Sequence, residues 1–97
     1  MNELPYCIVR TYSAGVYAGY VESRDGKEAV MRDARMLWYW DGAASLAQIA
    51  VSGVTKPKNC KFTITMPRLE LTEVISVMEC TPEAQANIAE VSPWLIK

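Results

Sequence analysis

An Asp-Gly pair at residues 25 and 26 is the feature that most restricts how this chain can fold. A β-prone stretch from Val16 to Ser23 precedes the pair, and a second stretch from Glu28 to Asp33 follows it. A two-residue type I′ turn needs positive φ at both central residues, and Asp-Gly adopts that conformation readily. The sequence therefore predicts an antiparallel hairpin around this turn.

Other stretches rich in β-branched and aromatic residues extend the predicted sheet. They are Tyr6–Thr11, Met36–Trp40, Lys61–Met66 and Leu69–Met78, the last resuming after Pro67. Gly19 lies inside the strand predicted from Val16 and indicates a bulge or a close backbone approach there. A turn at Ser13-Ala14-Gly15 separates the first two strands.

Two helices are predicted, each from its start and stop signals. Ala43–Ser52 is rich in good helix formers, has Asp41 or Gly42 as a capping residue and is followed by Gly53. Thr81 precedes Pro82, a favourable first helical residue, and the second helix is predicted to run from Pro82 to about Val91.

The order of these elements predicts an α+β fold. It is a small twisted antiparallel sheet or SH3-like half-barrel of five or six strands, with two short helices. Because 97 residues are too few for two hydrophobic cores, the chain is expected to form a single domain over residues 1–97.

Composition excludes several classes of function. The chain has no histidine, which removes Ser-His-Asp triads, Cys-His pairs and His-ligated zinc sites. Cys7, Cys60 and Cys80 are far apart and form no CxxC pair, so neither a disulfide framework nor a metal site is expected. Ten basic against eleven acidic residues disfavour a dedicated nucleic-acid binder. We predict neither a cofactor nor catalysis.

The chain carries no sign of export or membrane insertion. Its first residues have no basic segment followed by an apolar one, as a signal peptide would. No stretch approaches the roughly 18 apolar residues that a spanning helix needs. A soluble, cytoplasmic protein is therefore expected.

Arginines and aromatic residues are concentrated in two segments. Arg32 and Arg35 precede Trp38, Tyr39 and Trp40. Indole faces stack on nucleobases, and guanidinium groups bind phosphate bidentately. The alternative is structural: strand alternation places Trp38 and Trp40 on one face, which favours packing in a core or an interface, and the arginines are equally suited to ordinary ion pairs.

The second segment repeats this pairing. Arg10 and Tyr12 lie beside the turn that begins at Ser13, whose backbone amides are placed to form an anion-binding nest.

At the other end of the chain, Trp94, Leu95 and Ile96 form an apolar tail that is expected to promote homo-oligomerisation.

Nearly the whole chain, from about Tyr6 to about Trp94, resembles a family of small phage and prophage proteins of unknown function. The segments that carry the resemblance are Arg10–Val16, Ala18–Tyr20, Ser23–Glu28, Ala34–Leu46, Cys60–Phe62 and Leu71–Ile75. More loosely, the size and architecture are similar to those of phage anti-defence sponges of the Thoeris and CBASS (cyclic-oligonucleotide immunity) type.

The looser resemblance implies an oligomer, a dimer or hexamer, that binds a cyclic nucleotide or cyclic ADP-ribose signal in the infected host's cytoplasm without cleaving it. We expect the ligand to lie at a subunit interface, beside Ser13. There Arg10, Arg32 and Arg35 would hold phosphates, and Tyr12, Trp38 or Trp40 would stack on the base.

Two other interpretations stay open. An aromatic strip beside a groove also suits an SH3-like module that binds a protein partner or a nucleic-acid strand. A small virion or regulatory component without a small ligand is a third. An enzyme is the least favoured.

Overall fold

The computed structural model describes residues 4–96, which form a six-stranded antiparallel sheet and two helices. The α+β fold expected from the sequence is confirmed. The strands are β1 (Tyr6–Thr11), β2 (Val16–Asp25), β3 (Glu28–Tyr39), β4 (Lys61–Phe62), β5 (Met66–Leu71) and β6 (Val74–Glu79), and the helices are α1 (Leu46–Ser52) and α2 (Pro82–Glu90).

The sheet bends back on itself. The strand order is β4-β3-β2-β1-β6, and β5 pairs separately with β3. Only Thr72 and Glu73 separate β5 from β6, yet these two strands bond to β3 and β1, which lie on opposite sides of β2. Such a short link can reach between them only if the sheet curves, and this curvature gives it an inner and an outer face.

The buried residues form two clusters, one on each face of this single sheet, so the chain has two cores where its length predicted only one. The outer core lies beneath the two helices and includes Ile8, Phe62 and Ile88, all fully buried. The inner core fills the bend and includes Val9 and Met31, also fully buried. Both faces of the central strands are therefore apolar, as the sequence of β2 indicates.

Several predicted boundaries shift. Met36–Trp40 is not a separate strand, because β3 runs without a break from Glu28 to Tyr39. The predicted strand Leu69–Met78 is interrupted at Thr72 and Glu73, where the sheet turns its corner. The predicted strand Lys61–Met66 contains only the two residues of β4 and the first residue of β5.

The helix starts follow local capping chemistry. Ser45, rather than Asp41 or Gly42, caps α1 by accepting a hydrogen bond from the Gln48 amide at 3.2 Å. Thr81 caps α2 as predicted, since its Oγ1 accepts from the Ala84 amide at 3.0 Å. Within residues 4–96, neither helix has the length and apolar character that crossing a membrane requires.

Gly19 marks a bulge, as its position in the strand predicts. Ala18 is opposite Arg35 and Tyr20 is opposite Arg32, so β3 carries an extra residue beside Gly19. The bulge includes Asp33, whose φ is 49°. A Cβ at Gly19 would lie 2.7 Å from the Ala34 Cα, and only glycine permits this approach.

Replacing Gly19 with alanine is therefore expected to lower the free energy of unfolding by about 3 kcal/mol, because the backbone of β3 would have to move. Gly26→Ala is the control: its φ is +60° but a Cβ there meets nothing within 4 Å, so only backbone strain of about 1 kcal/mol is expected. Urea denaturation measures both values, and equal losses would show that the close approach to Ala34 is not what requires glycine at position 19.

Candidate functional site

An open cavity of about 400 Å³ lies between the β1–β2 turn and the end of β3. The turn provides one wall, and two tryptophans provide the other. Its lining residues are Ser13, Ala14, Gly15, Val16, Met36, Leu37, Trp38 and Trp40. We refer to this cavity as the tryptophan cleft. It brings together three of the residues predicted to bind ligand, namely Ser13, Trp38 and Trp40.

The two tryptophans reach the cleft from different surroundings. Leu37 pairs with Phe62 and Tyr39 with Lys61, so β3 has an irregularity at Trp38 that breaks the alternation expected from the sequence. Trp38 is 58% exposed. Trp40 follows the end of β3 and packs in part against the outer core. The two indoles therefore line one cavity without sharing a regular strand face.

Trp94 extends the aromatic surface next to the cleft. Its ring is parallel to that of Trp38, with 5.9 Å between the ring centroids. The Trp94 amide donates a hydrogen bond to the Phe62 carbonyl at 2.8 Å, which fixes this segment beside β4. The sequence pattern places Trp94 only in an apolar tail, since no local signal relates it to Trp38, 56 positions earlier.

One backbone amide of the turn, that of Ala14, is hydrogen-bonded within the turn itself. Thr11 Oγ1 accepts from the Ala14 amide at 2.9 Å and donates to the Gly15 carbonyl at 2.7 Å. The Ala14 amide is therefore not available to the predicted anion-binding nest. Gly15 has a φ of 102° and lies against Met36, which brings the turn close to β3.

A carboxylate also contacts this turn. Ser13 Oγ donates a hydrogen bond to Glu73, which belongs to the link between β5 and β6. A negative charge at this position opposes the binding of an anion directly on Ser13. A phosphate in the cleft would need a cation nearby to offset this repulsion.

Arg10 is the arginine placed to provide that cation. It is exposed and lies directly opposite Val16, which lines the cleft. Side chains opposite each other in an antiparallel pair have Cβ atoms about 4.5–5.5 Å apart. Among residues 4–96 Arg10 forms no ion pair, so its guanidinium is available to a ligand.

Tyr12 and Arg32 lie elsewhere. Tyr12 is 79% exposed and lines a separate cavity of about 250 Å³ with Lys27, Glu73 and Ile75. Arg32 forms a salt bridge with Glu22 on the exposed surface of β2 and β3. The structure does not bring either residue to the tryptophan cleft.

Arg35 is buried, with 5% of its surface exposed. Its Nε donates to the Thr63 carbonyl at 2.9 Å, and its Nη2 donates to the Phe62 carbonyl at 3.2 Å. Its Nη1 donates to the carbonyls of Ile88 and Val91, both at 2.9 Å, where α2 ends. This guanidinium therefore holds the protein's own backbone and is not free to hold phosphate.

Two further observations concern metal binding and the cysteine thiols. Within residues 4–96 no three acidic or cysteine side chains converge in a way that would hold a metal ion. Burial raises the pKa of Cys80 to about 11 and also raises the pKa of Cys7. Both groups are therefore neutral thiols near pH 7, and a neutral thiol is a poor nucleophile.

Comparison with known proteins adds a family without an assigned activity. Residues 4–88 match the family model described as a domain of unknown function, DUF6948. No curated protein matches the chain, and no solved structure matches it either.

Proposed function

The chain belongs to the DUF6948 family, and we propose that it binds and sequesters a small, planar, negatively charged signal without cleaving it. The ligand class is a cyclic nucleotide or cyclic ADP-ribose. The observation that carries this proposal is the tryptophan cleft, where two indoles border a cavity of about 400 Å³. This volume falls within the roughly 300–1,000 Å³ typical of small-molecule sites.

The indoles support a planar ligand. Stacking of a nucleobase on an aromatic side chain contributes about 1–3 kcal/mol and tolerates any base, because every base has a π face. Trp38 is 58% exposed, so a stacked ring would remove a large apolar surface from water.

Arg10 supports an anionic ligand. It is the one residue of the predicted phosphate-binding set that is both exposed and next to a residue of the cleft. Arg32 and Arg35 are omitted from the proposed site, because the first is paired with Glu22 and the second is buried. The proposed binding residues are therefore Arg10 for the anionic group and Trp38 and Trp40 for the planar one, and Ser13 lines the same cleft without contacting the anion.

The resemblance to phage sponges supports the biological setting. It suggests that the protein acts in the cytoplasm of an infected bacterium as a homo-oligomer that removes an immune signal. Sequestration requires only tight binding and slow release, so no residue needs to turn the ligand over.

A capture-and-release experiment tests the proposal. Purified protein is incubated with a panel of cyclic dinucleotides, cyclic trinucleotides and cyclic ADP-ribose isomers, then filtered and heat-denatured. We expect chromatography to recover one signal chemically unchanged from the wild type and much less of it from a Trp38→Ala variant. A chemically altered product would show an enzyme, and no binding across the panel would contradict the sponge.

A second candidate is an interaction module for a protein partner. The observation that favours it is the exposed aromatic surface next to the cleft, where Trp38 stacks on Trp94 and Leu95 is 46% exposed. Exposed apolar groups that cluster in this way are typical of protein-binding surfaces. If no small ligand is captured, this candidate becomes the leading one.

A further inference from the structure

Two of the outer strands of the curved sheet, β5 and β6, differ in how their free edges are protected. Within residues 4–96, β5 pairs only with β3, and β6 pairs only with β1. β5 contains Pro67 and the ion pair of Arg68 with Glu70. Proline and charged side chains are the usual means by which an edge strand avoids pairing with another chain. β5 is therefore protected.

β6 lacks this protection over most of its length. Its sequence is Val-Ile-Ser-Val-Met-Glu, with a single charge at the last residue, Glu79, and no proline. A register shift near Ile75 bends the start of the strand, and the Val74 amide donates to the Lys27 carbonyl at 2.8 Å. The edge from Ser76 to Glu79 has no such partner within residues 4–96.

The hydrogen-bonding pattern shows which amides point to this edge. The Cys80 amide donates to the Tyr6 carbonyl at 2.8 Å, and the Thr11 amide donates to the Gly15 carbonyl at 3.0 Å. Even-numbered residues of β1 therefore bond to β6, and odd-numbered residues bond to β2. Since Val9 is opposite Val77 and Cys7 is opposite Glu79, the amides of Val77 and Glu79 point away from β1.

We infer that β6 is a homodimer interface, in which the β6 strands of two copies pair antiparallel and join their sheets. An antiparallel pair of identical strands has a two-fold axis, so the same edge serves both copies. In the registers centred on Val77 or Met78, Glu79 faces Ile75 or Val77 of the second copy. The register that would place Glu79 opposite Glu79 also needs Thr81 opposite Val77, and the Thr81 amide already donates to the Ala50 carbonyl. No like charges then oppose each other across the interface.

Val77→Pro is the variant that tests this interface. Proline removes the outward amide at residue 77 but no hydrogen bond between β6 and β1, because that amide points away from β1. Val77→Thr is the matched control, since it keeps both the amide and a β-branched side chain. We expect sedimentation velocity to show a wild-type dimer, a similar dimer for Val77→Thr, and a dissociation constant at least about tenfold higher for Val77→Pro.

A wild type that stays monomeric at every concentration would overturn the inference, and so would a Val77→Pro variant that dimerises as tightly as the wild type. If the proline variant fails to fold by circular dichroism, hydrogen exchange on the wild type decides the question. The Val77 and Glu79 amides should become protected as protein concentration rises, and exchange that is independent of concentration would refute the dimer. Neither result depends on the ligand proposed for the tryptophan cleft.

Discussion

Replacing Arg35 with methionine is expected to lower the free energy of unfolding by about 4 kcal/mol or more. The substitution removes four hydrogen bonds to backbone carbonyls and leaves those of Thr63 and Val91 without a donor among residues 4–96, whereas the Phe62 and Ile88 carbonyls each keep one backbone amide. Each hydrogen bond to a charged group contributes about 1.5–3 kcal/mol, and a buried carbonyl left unpaired is costly. A chain of 97 residues has a total stability of roughly 5–15 kcal/mol, so much of it would be lost.

Arg32→Met is the matched control, because Arg32 is an exposed arginine on the same strand whose one ion pair is with Glu22. Surface pairs of this kind contribute about 0–1 kcal/mol. Urea denaturation of the two variants measures the difference. Equal losses for Arg35→Met and Arg32→Met would show that the buried guanidinium does not hold the helix in place.

Among residues 4–96 no acidic side chain bonds to Arg35, because backbone carbonyls balance its charge instead. The guanidinium lies where α2 ends, and the carbonyls of a helix C-terminus carry partial negative charge. The Phe62 ring lies 5.5 Å from its central carbon and adds a cation–π contact. Burial lowers the pKa of Arg35, but a guanidinium stays protonated in proteins.

The parts of the fold that can be predicted from sequence depend on local chemistry. The Asp25-Gly26 turn, the Tyr6–Thr11 strand and the Thr81 cap each follow from residues that are neighbours in the chain. The predicted close approach at Gly19 is local in the same sense, because a glycine inside a strand often marks a bulge or a close backbone contact.

The parts that the sequence does not reveal depend on distant contacts. The carbonyls that Arg35 binds come from residues up to 56 positions away, and no pattern within β3 indicates them. The irregularities at Asp33 and Trp38 change which face of β3 each later side chain occupies. Simple alternation therefore places Trp38 and Trp40 together on one face, whereas they meet only through the cleft.

Contacts between residues that are distant in sequence also determine which candidate site residues come together. Ser13, Trp38 and Trp40 share the cleft because β2 and β3 are adjacent and their ends meet there. Tyr12, one residue before Ser13, instead lies over Lys27 and Ile75, because its amide bonds to Glu73 at the corner of the sheet. A residue's neighbours in sequence therefore do not determine which side of the turn it reaches.

Replacing Arg10 with alanine is expected to weaken binding of the captured signal by about 2–5 kcal/mol, at least thirtyfold in Kd, if the signal sits in the tryptophan cleft as proposed and buries its contact with Arg10. Arg10 is the exposed cation next to the cleft, and the Glu73 carboxylate that accepts from Ser13 adds a repulsion that Arg10 has to offset. Isothermal titration calorimetry with the captured signal measures the loss.

Arg32→Ala removes the same charge outside the cleft and should leave Kd within about twofold, because the field of a distant exposed charge is screened by salt. Comparable losses in both variants would indicate attraction by overall charge, whereas an unchanged Kd in Arg10→Ala would remove Arg10 from the site and leave the indoles as the source of affinity.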